Sequence, residues 1–257
     1  MLIEKLKSYL LLISCLIVSV FAFSQNTDLE LAHNAHRNGN VDEAFILYTK
    51  IVNTPNSKDK QKAYFGIAYY YHNLKNYQAA EVNIKKALKV KKTNEDYNKL
   101  KGESYWLYAL VKSKDVYNSK SLKQLKKATR YIETSPLYAS IGYNKIFIEK
   151  YEEAIIDLNY AIKLDSENSY AYNNRGLAYI RLNKFDLARK DVKKSKELND
   201  SNPFVYLHSA FIYIALNEID SACLELDKAQ QRKTSDGIMD VGLEKIEELK
   251  KKHCQDE

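Results

Sequence analysis

The sequence predicts an all-α fold, an α-solenoid of about six stacked helix pairs that ends in a C-terminal capping helix. Its 257 residues include only 7 Gly and 3 Pro, whereas average usage would give about 18 and 13. Glycine and proline form the turns of hairpins and phosphate loops, so their scarcity argues against a many-stranded β-fold. The second observation is a repeat of fixed length that accounts for nearly all of the chain after residue 25.

The repeat has a period of 34 residues, which is clearest in the C-terminal half. Small, aromatic and large apolar residues recur there in five columns: Tyr138, Tyr172, Tyr206; Gly142, Gly176, Ala210; Ala154, Ala188, Ala222; Leu158, Val192, Leu226; and Ala161, Ser195, Ala229. The same frame extends backwards and divides the chain into units 25–58, 61–94, 102–134, 135–168, 169–202 and 203–236. Self-similarity of this kind is typical of repeat architectures.

These columns resemble the tetratricopeptide repeat, and the resemblance covers residues 25–236. The whole chain resembles an exported bacterial protein of this family. It implies that each unit is a helix, a short turn and a second, antiparallel helix. The small residues would lie where the two helices cross most closely. Stacked pairs would then bury a continuous core.

Two regions depart from the regular frame. Residues 95–101 are an insert that either lengthens a helix or forms a loop, and residues 115–119 replace the normal turn of the third unit. Residues 237–257 follow the last unit as a capping helix and a polar tail. Apolar residues recur between lysines and glutamates from 238 to 252, which predicts an amphipathic helix.

The N-terminus is expected to be a signal peptide, residues 1–24. An apolar run at 10–23 is too short for a typical spanning helix, and Ala22 and Ser24 are small residues at the positions that signal peptidase reads. An uncleaved membrane anchor is the alternative, whereas lipidation at Cys15 has little support. The protein is therefore expected in the periplasm or cell envelope, or secreted. Cys223 and Cys254 are expected to be free thiols or a dispensable bridge.

Residues for chemistry are scarce, and we expect neither an enzyme nor a cofactor. The sequence has no G-x-G pair, no phosphate loop and no metal-binding cysteine pair. His33, His36 and His72 are weak candidates for a metal site, since repeat spacing places them on equivalent faces of two helices. Exposed polar helix residues are the expected interpretation.

The family resemblance implies that the first helices line an inner groove. We predict that units four to six offer a mostly apolar groove to an amphipathic helix or extended peptide. Its partner-binding residues would be Tyr143, Phe147, Tyr170, Asn174, Leu177, Arg181, Phe204, Leu207, Phe211 and Ile214. The alternative is that this surface is internal, through tight curling of the stack or a homodimer.

One known ligand class of the family is not expected. Tetratricopeptide domains that grip a chaperone's C-terminal carboxylate use Asn and Lys or Arg at set positions of successive units. Asn174 fits one of these positions, but Ala139, Tyr143, Phe204 and His208 occupy the neighbouring ones.

The predicted function is a protein-interaction scaffold or adaptor of the cell envelope. A membrane-surface accessory subunit, anchored by the N-terminal segment, is the first alternative. Basic second-helix residues such as Lys123, Lys127 and Arg189 would then touch anionic lipid, although a solvated face is the favoured interpretation of these residues. A metal-dependent enzyme is the second alternative. Nucleic acid is not an expected partner, despite a net charge of +7.

Overall fold

The computed structural model describes residues 27–55, 57–89, 95–112, 119–232 and 240–254. Residues 1–24, most of the irregular segment 115–119 and the tail 255–257 lie outside the described residues. All regular structure in the described part is helical, as the all-α prediction requires. None of the described helices is both long and apolar enough to cross a membrane.

The helices fall into two compact units that divide after residue 92. The first unit contains two helix pairs: α1 (Asp28–Arg37), α2 (Val41–Asn53), α3 (Lys60–Asn73) and α4 (Tyr77–Lys89). The second contains four helix pairs and a final helix: α5 (Glu95–Lys112), α6 (Ser119–Ala128), α7 (Ser135–Phe147), α8 (Tyr151–Leu164), α9 (Ser169–Arg181), α10 (Phe185–Leu198), α11 (Pro203–Ala215), α12 (Ile219–Gln231) and α13 (Asp240–His253). The insert 95–101 is part of α5, so it lengthens a helix rather than forming a loop.

Small residues lie where the two helices of a pair meet. The alanines near the start of five of the six second helices are at most 1% exposed: Ala44, Ala80, Ala154, Ala188 and Ala222. The residues seven positions later in the last three pairs are completely buried: Ala161, Ser195 and Ala229. The 34-residue period therefore marks the contacts that hold each pair together.

Gly142 shows how close this approach is. A Cβ atom on Gly142 would collide with the side chain of Leu158, and one on Gly176 would lie 2.9 Å from Cγ2 of Val192. Real Cβ atoms do not come so close to their neighbours. Glycine is used here for close helix packing, not for a turn.

In five helix pairs, the turn between the two helices has one residue in the left-handed conformation, always at the same position of the turn. These residues are Gly39, Lys75, Glu149, Asn183 and Asn217, with φ between 57° and 81°. In each turn the next residue donates a backbone hydrogen bond of 2.9 Å to the carbonyl five positions earlier, as Lys150 does to Lys145. This bond belongs to the Schellman motif, which usually ends a helix with glycine at the left-handed position.

The last helix is tied to the helix before it by a covalent bond and by polar contacts. Cys223 of α12 and Cys254 after α13 form a disulfide, with their Cα atoms 5.7 Å apart. The bond resolves the two expectations for these cysteines in favour of a bridge. Lys250 Nζ donates to Asp227 Oδ1 at 2.6 Å and to Gln230 Oε1 at 2.8 Å. Ile246 and Leu249 bury the apolar face of α13, as its amphipathic pattern predicts.

The contact between Gly142 and Leu158 predicts a specific coupling. Gly142→Ala should destabilise the protein, because overpacking typically costs about 1–3 kcal/mol. In a Leu158→Ala background the same change should be neutral or stabilising, since a helix favours Ala over Gly by about 1 kcal/mol. Urea unfolding of the four proteins measures the coupling, and additive effects would contradict the proposed contact.

The disulfide predicts that reduction loosens α13. A loop of 31 residues corresponds to about 3–4 kcal/mol in the chain-entropy model. In a Cys223→Ser, Cys254→Ser variant, the amides of residues 244–253 should therefore exchange with solvent faster. Amides of α9 serve as the internal control and should be unaffected. If the amides of residues 244–253 keep their protection against hydrogen exchange, packing and the Lys250 contacts are sufficient to hold α13 in place.

Candidate functional site

The second unit contains a cavity of about 630 Å³ along its first helices. Known ligand pockets have volumes of about 300–1,000 Å³. Four helices and two helix-preceding turns contribute its lining: Trp106, Pro136, Ala139, Ser140, Tyr143, Asp165, Glu167, Asn168, Ser169, Tyr170, Asn173, Asn174, Asn202, Phe204 and His208. Consecutive first helices therefore place their side chains around one space.

Trp106 forms the α5 side of the cavity and is held in place by hydrogen bonds. Its Nε1 donates to Ser140 Oγ at 3.1 Å, and this hydroxyl donates to the Pro136 carbonyl at 2.8 Å. Buried or half-buried indole nitrogens usually need such a partner.

Two asparagines that precede helices also line the cavity. Asn168 Oδ1 accepts from the Ala171 amide at 3.1 Å, and its Nδ2 donates to Ser135 Oγ at 2.7 Å. Asn202 Oδ1 accepts from the Phe204 amide at 3.0 Å. Both are typical N-cap contacts. Asn202 differs from Asn168 in one respect: its buried Nδ2 has no hydrogen-bond partner within the described part of the chain.

A buried histidine and an asparagine join α9 to α11 at the cavity wall. His208 is 5% exposed, and its Nδ1 lies 2.9 Å from Oδ1 of Asn173. Burial, followed by the positive charge of Arg181, lowers the pKa of His208 to about 3. The ring is therefore neutral at pH 7, and Nδ1 donates to the amide oxygen.

The charges around the cavity are unevenly distributed. Asp165 and Glu167 lie in the lining, which contains no lysine or arginine. The Glu167 backbone amide donates to Asp165 Oδ1 at 2.9 Å. The Glu167 carboxylate forms no ion pair with any other described residue. Arg181 is exposed at the opposite end of α9, about 18 Å from Ser169 at 1.5 Å per residue.

A second set of polar contacts fixes α9 against its neighbours. The Arg175 guanidinium donates from Nε and Nη2 to the two carboxylate oxygens of Asp191, both at 2.7 Å. A third bond of 2.6 Å joins Arg175 to Asn159 of α8. Bidentate bonds of this kind are strong and geometrically specific. They hold α9, and with it Tyr170, Asn173 and Asn174, in position.

The structure brings together some of the residues predicted to bind a partner. Tyr143, Tyr170, Asn174 and Phe204 line the cavity, and Tyr170 is 58% exposed. Phe147 is exposed beside Tyr143, with ring centroids 4.8 Å apart. Phe211, which stacks on His208 at 6.2 Å, and Ile214 are half-buried, while Arg181 is exposed.

Leu177 and Leu207 lie in the hydrophobic core instead. They are 6% and 5% exposed and pack within the clusters that join neighbouring helix pairs. Little of either side chain is left for a partner. Most of the surface that lines the cavity is apolar, although amides, hydroxyls and carboxylates also contribute to it.

Sequence reasoning did not select several of the lining residues. Trp106 lies in the third repeat, which matches the repeat pattern least well. Asn168 and Asn202 are already explained by their role as helix caps. His208 has a detectable signal, because it is a polar residue in a helix that is otherwise apolar nearly all round. A buried polar side chain requires a partner, and Asn173 lies in the first helix of the preceding repeat.

The three candidate histidines, His33, His36 and His72, do not form a metal site in the described part of the chain. Each contacts a different tyrosine ring: His33 with Tyr48, His36 with Tyr69, and His72 with Tyr77. Burial lowers the pKa of His33 and of His72. Among the described residues, no group of three His, Cys, Asp or Glu side chains is placed to hold a metal ion.

Comparison with known families agrees with the repeat. Residues 61–94 and 169–202 match the tetratricopeptide repeat model, and both segments coincide with predicted repeat units. Together with the all-α paired-helix fold, this match supports the tetratricopeptide repeat family. No curated protein sequence matches the chain.

Solved structures share the fold at low sequence identity. A chain of the APC/C hetero-tetramer Cut9–Hcn1 has a TM-score of 0.67 and 15% identity over 89% of this chain. The match spans 42% of that structure's chain. PilW, a type IV pilus biogenesis factor, has a TM-score of 0.55 and 19% identity over 68% of this chain and 78% of its own. MamA of AMB-1 has a TM-score of 0.50 and 16% identity over 66% and 96%, respectively.

The buried His208 predicts a pH dependence of stability. Its native pKa is about 3, against about 6.5 in an unfolded chain, so the unfolded state binds the proton first as pH falls. Stability should therefore decrease between pH 6.5 and 3, by up to about 1.4 kcal/mol per pH unit from this group. His208→Gln, which does not titrate, should show a flatter dependence in urea unfolding at pH 4.5–7. Equal slopes in the two proteins would contradict burial of His208.

Proposed function

We propose that the protein is a non-enzymatic interaction scaffold whose cavity in the second unit binds a segment of a partner protein. The observation that carries this proposal is the cavity itself, which consecutive first helices line with aromatic rings and amide groups. Such a lining suits a peptide segment, because rings contact side chains while amides hydrogen-bond to the peptide backbone. The tetratricopeptide repeats support the same class of function.

The helices of the second unit keep this binding surface in shape. Arg175, Asp191 and Asn159 join α8, α9 and α10, and His208 with Asn173 joins α9 to α11. A binding surface with fixed side chains loses less conformational entropy when a partner binds. The arrangement therefore favours recognition of a preferred segment over unspecific adhesion.

We place this activity outside the cytoplasm, in the cell envelope. The apolar N-terminal segment supports export, and the Cys223–Cys254 bond supports it independently, because disulfides persist in oxidising compartments. Mass spectrometry of the protein purified from its native host tests the location through its N-terminus. Cleavage after residue 24 and an intact disulfide are expected, whereas reduced cysteines and an uncut chain would contradict export.

Tyr170 provides the test of partner binding. It is 58% exposed in the cavity, so Tyr170→Ala should leave the fold intact. The control is Ile156→Ala, since Ile156 is 68% exposed on α8 and does not line the cavity. A partner first identified by crosslinking in the native host should bind Tyr170→Ala about tenfold more weakly in a purified titration, as for an exposed aromatic contact.

Two results are informative in this titration. Wild-type affinity in Ile156→Ala together with the loss in Tyr170→Ala places the partner at the cavity. Equal affinity of all three proteins would show that the partner binds elsewhere and would reject the proposal.

A further inference from the structure

We propose that the cavity receives a lysine or arginine side chain of the partner segment, with the carboxylates of Asp165 and Glu167 facing its charge. This inference rests on the proposed function and specifies the chemistry of the bound segment. It is carried by three properties of the lining: its charge, its aromatic rings and an amide donor without a partner.

Charge complementarity is the first property. Asp165 and Glu167 are the charged residues of the lining, which includes no lysine or arginine. The one histidine is neutral at pH 7, because burial lowers the pKa of His208. Among the lining residues, an acidic side chain would meet two negative charges and no positive one. A basic side chain instead finds carboxylates that form no ion pairs with the described residues.

Aromatic rings are the second property. Trp106, Tyr143, Tyr170 and Phe204 line the same space, and the faces of aromatic rings attract cations. Their apolar surface also suits the aliphatic stem of lysine or arginine. The chain uses this chemistry in its own packing, where Lys196 and Arg232 lie 4.4 Å and 4.1 Å from the ring centroid of Tyr206.

The third property is an unused hydrogen-bond donor. Asn202 is 5% exposed, lines the cavity and has no partner for Nδ2 within the described residues. Its orientation is fixed, because Oδ1 accepts from the Phe204 amide. A buried donor left without a partner is costly. A backbone carbonyl beside the bound lysine or arginine would supply the missing acceptor.

The position of Arg181 defines which end of the cavity takes the cation. Arg181 lies at the C-terminal end of α9, whereas Asp165 and Glu167 precede its first residue. The two ends of a helix of 13 residues are about 18 Å apart. The basic side chain therefore belongs at the N-terminal end of α9, near Tyr170.

Trp106 makes this inference directly measurable, since it is the single tryptophan of the chain. The probes are three acetylated, amidated tripeptides, Ala-X-Ala, in which X is lysine, norleucine or glutamate. The full chain is titrated with each, and the indole N–H signal or the fluorescence of Trp106 is followed. The lysine peptide should bind about tenfold more tightly than the norleucine peptide, and the glutamate peptide more weakly than both. Added salt should reduce the lysine preference.

Matched variants separate the carboxylates from general charge. Glu167→Gln and Asp165→Asn should each reduce the preference for lysine over norleucine. Glu152→Gln removes an exposed carboxylate of α8 outside the lining and should leave that preference unchanged. Circular dichroism of each variant verifies that its helices are retained.

The inference fails if lysine and norleucine peptides bind equally, if the variants keep the full lysine preference, or if no peptide perturbs Trp106. These results do not decide the proposed function, which the Tyr170 titration with the partner tests independently. If a partner's binding depends on Tyr170 but its bound segment contains no basic residue, the proposed scaffold function stands and the proposed cation site is rejected.

Discussion

The close approach of two helices at small residues is the constraint on which the rest of the structure depends. Where Gly142 meets Leu158, no space remains for one additional carbon atom. This contact sets the distance between the helices of a pair. It therefore determines which face of each first helix is left uncovered by its pair and can line a binding surface. Neighbouring pairs then place those faces side by side, and the cavity of the second unit lies along them. A functional surface is thus a consequence of packing on the opposite side of the same helices.

The sequence predicts the paired helices because their contacts depend on residue size at fixed intervals. Ala154, Ala188 and Ala222 are all fully buried, and a column of small residues can be recognised without coordinates. The path of the insert could not be decided in this way, since residues 95–101 satisfy both a helix and a loop. The Cys223–Cys254 bridge was also open, because a pair separated by 31 residues carries no information about distance in space.

The cavity was predicted less completely because its residues come from different elements and serve several purposes. Tyr170 was selected from its register in the repeat, and Asn174 because it fits one position of the chaperone-tail clamp. Leu177 and Leu207 follow the same register, yet the packing of adjacent pairs buries them. Trp106 lies in the repeat that matches the pattern least well, while the Asn202 side chain combines a helix-cap contact with an unpartnered donor. Periodicity identifies the helix face on which a residue lies, but how deeply its side chain is buried depends on how the next helix pair packs against it.

The glycine-poor turns have a consequence for how the chain folds. Each described turn of this kind reverses the chain within three residues, as at 148–150, and is closed by its own backbone hydrogen bond. The contacts of a helix pair are therefore local in sequence, and chains rich in local contacts fold quickly. Any pair can serve as a starting point from which structure spreads to its neighbours. The irregular third repeat need not delay the others, whereas the disulfide closes only after its two helices have met.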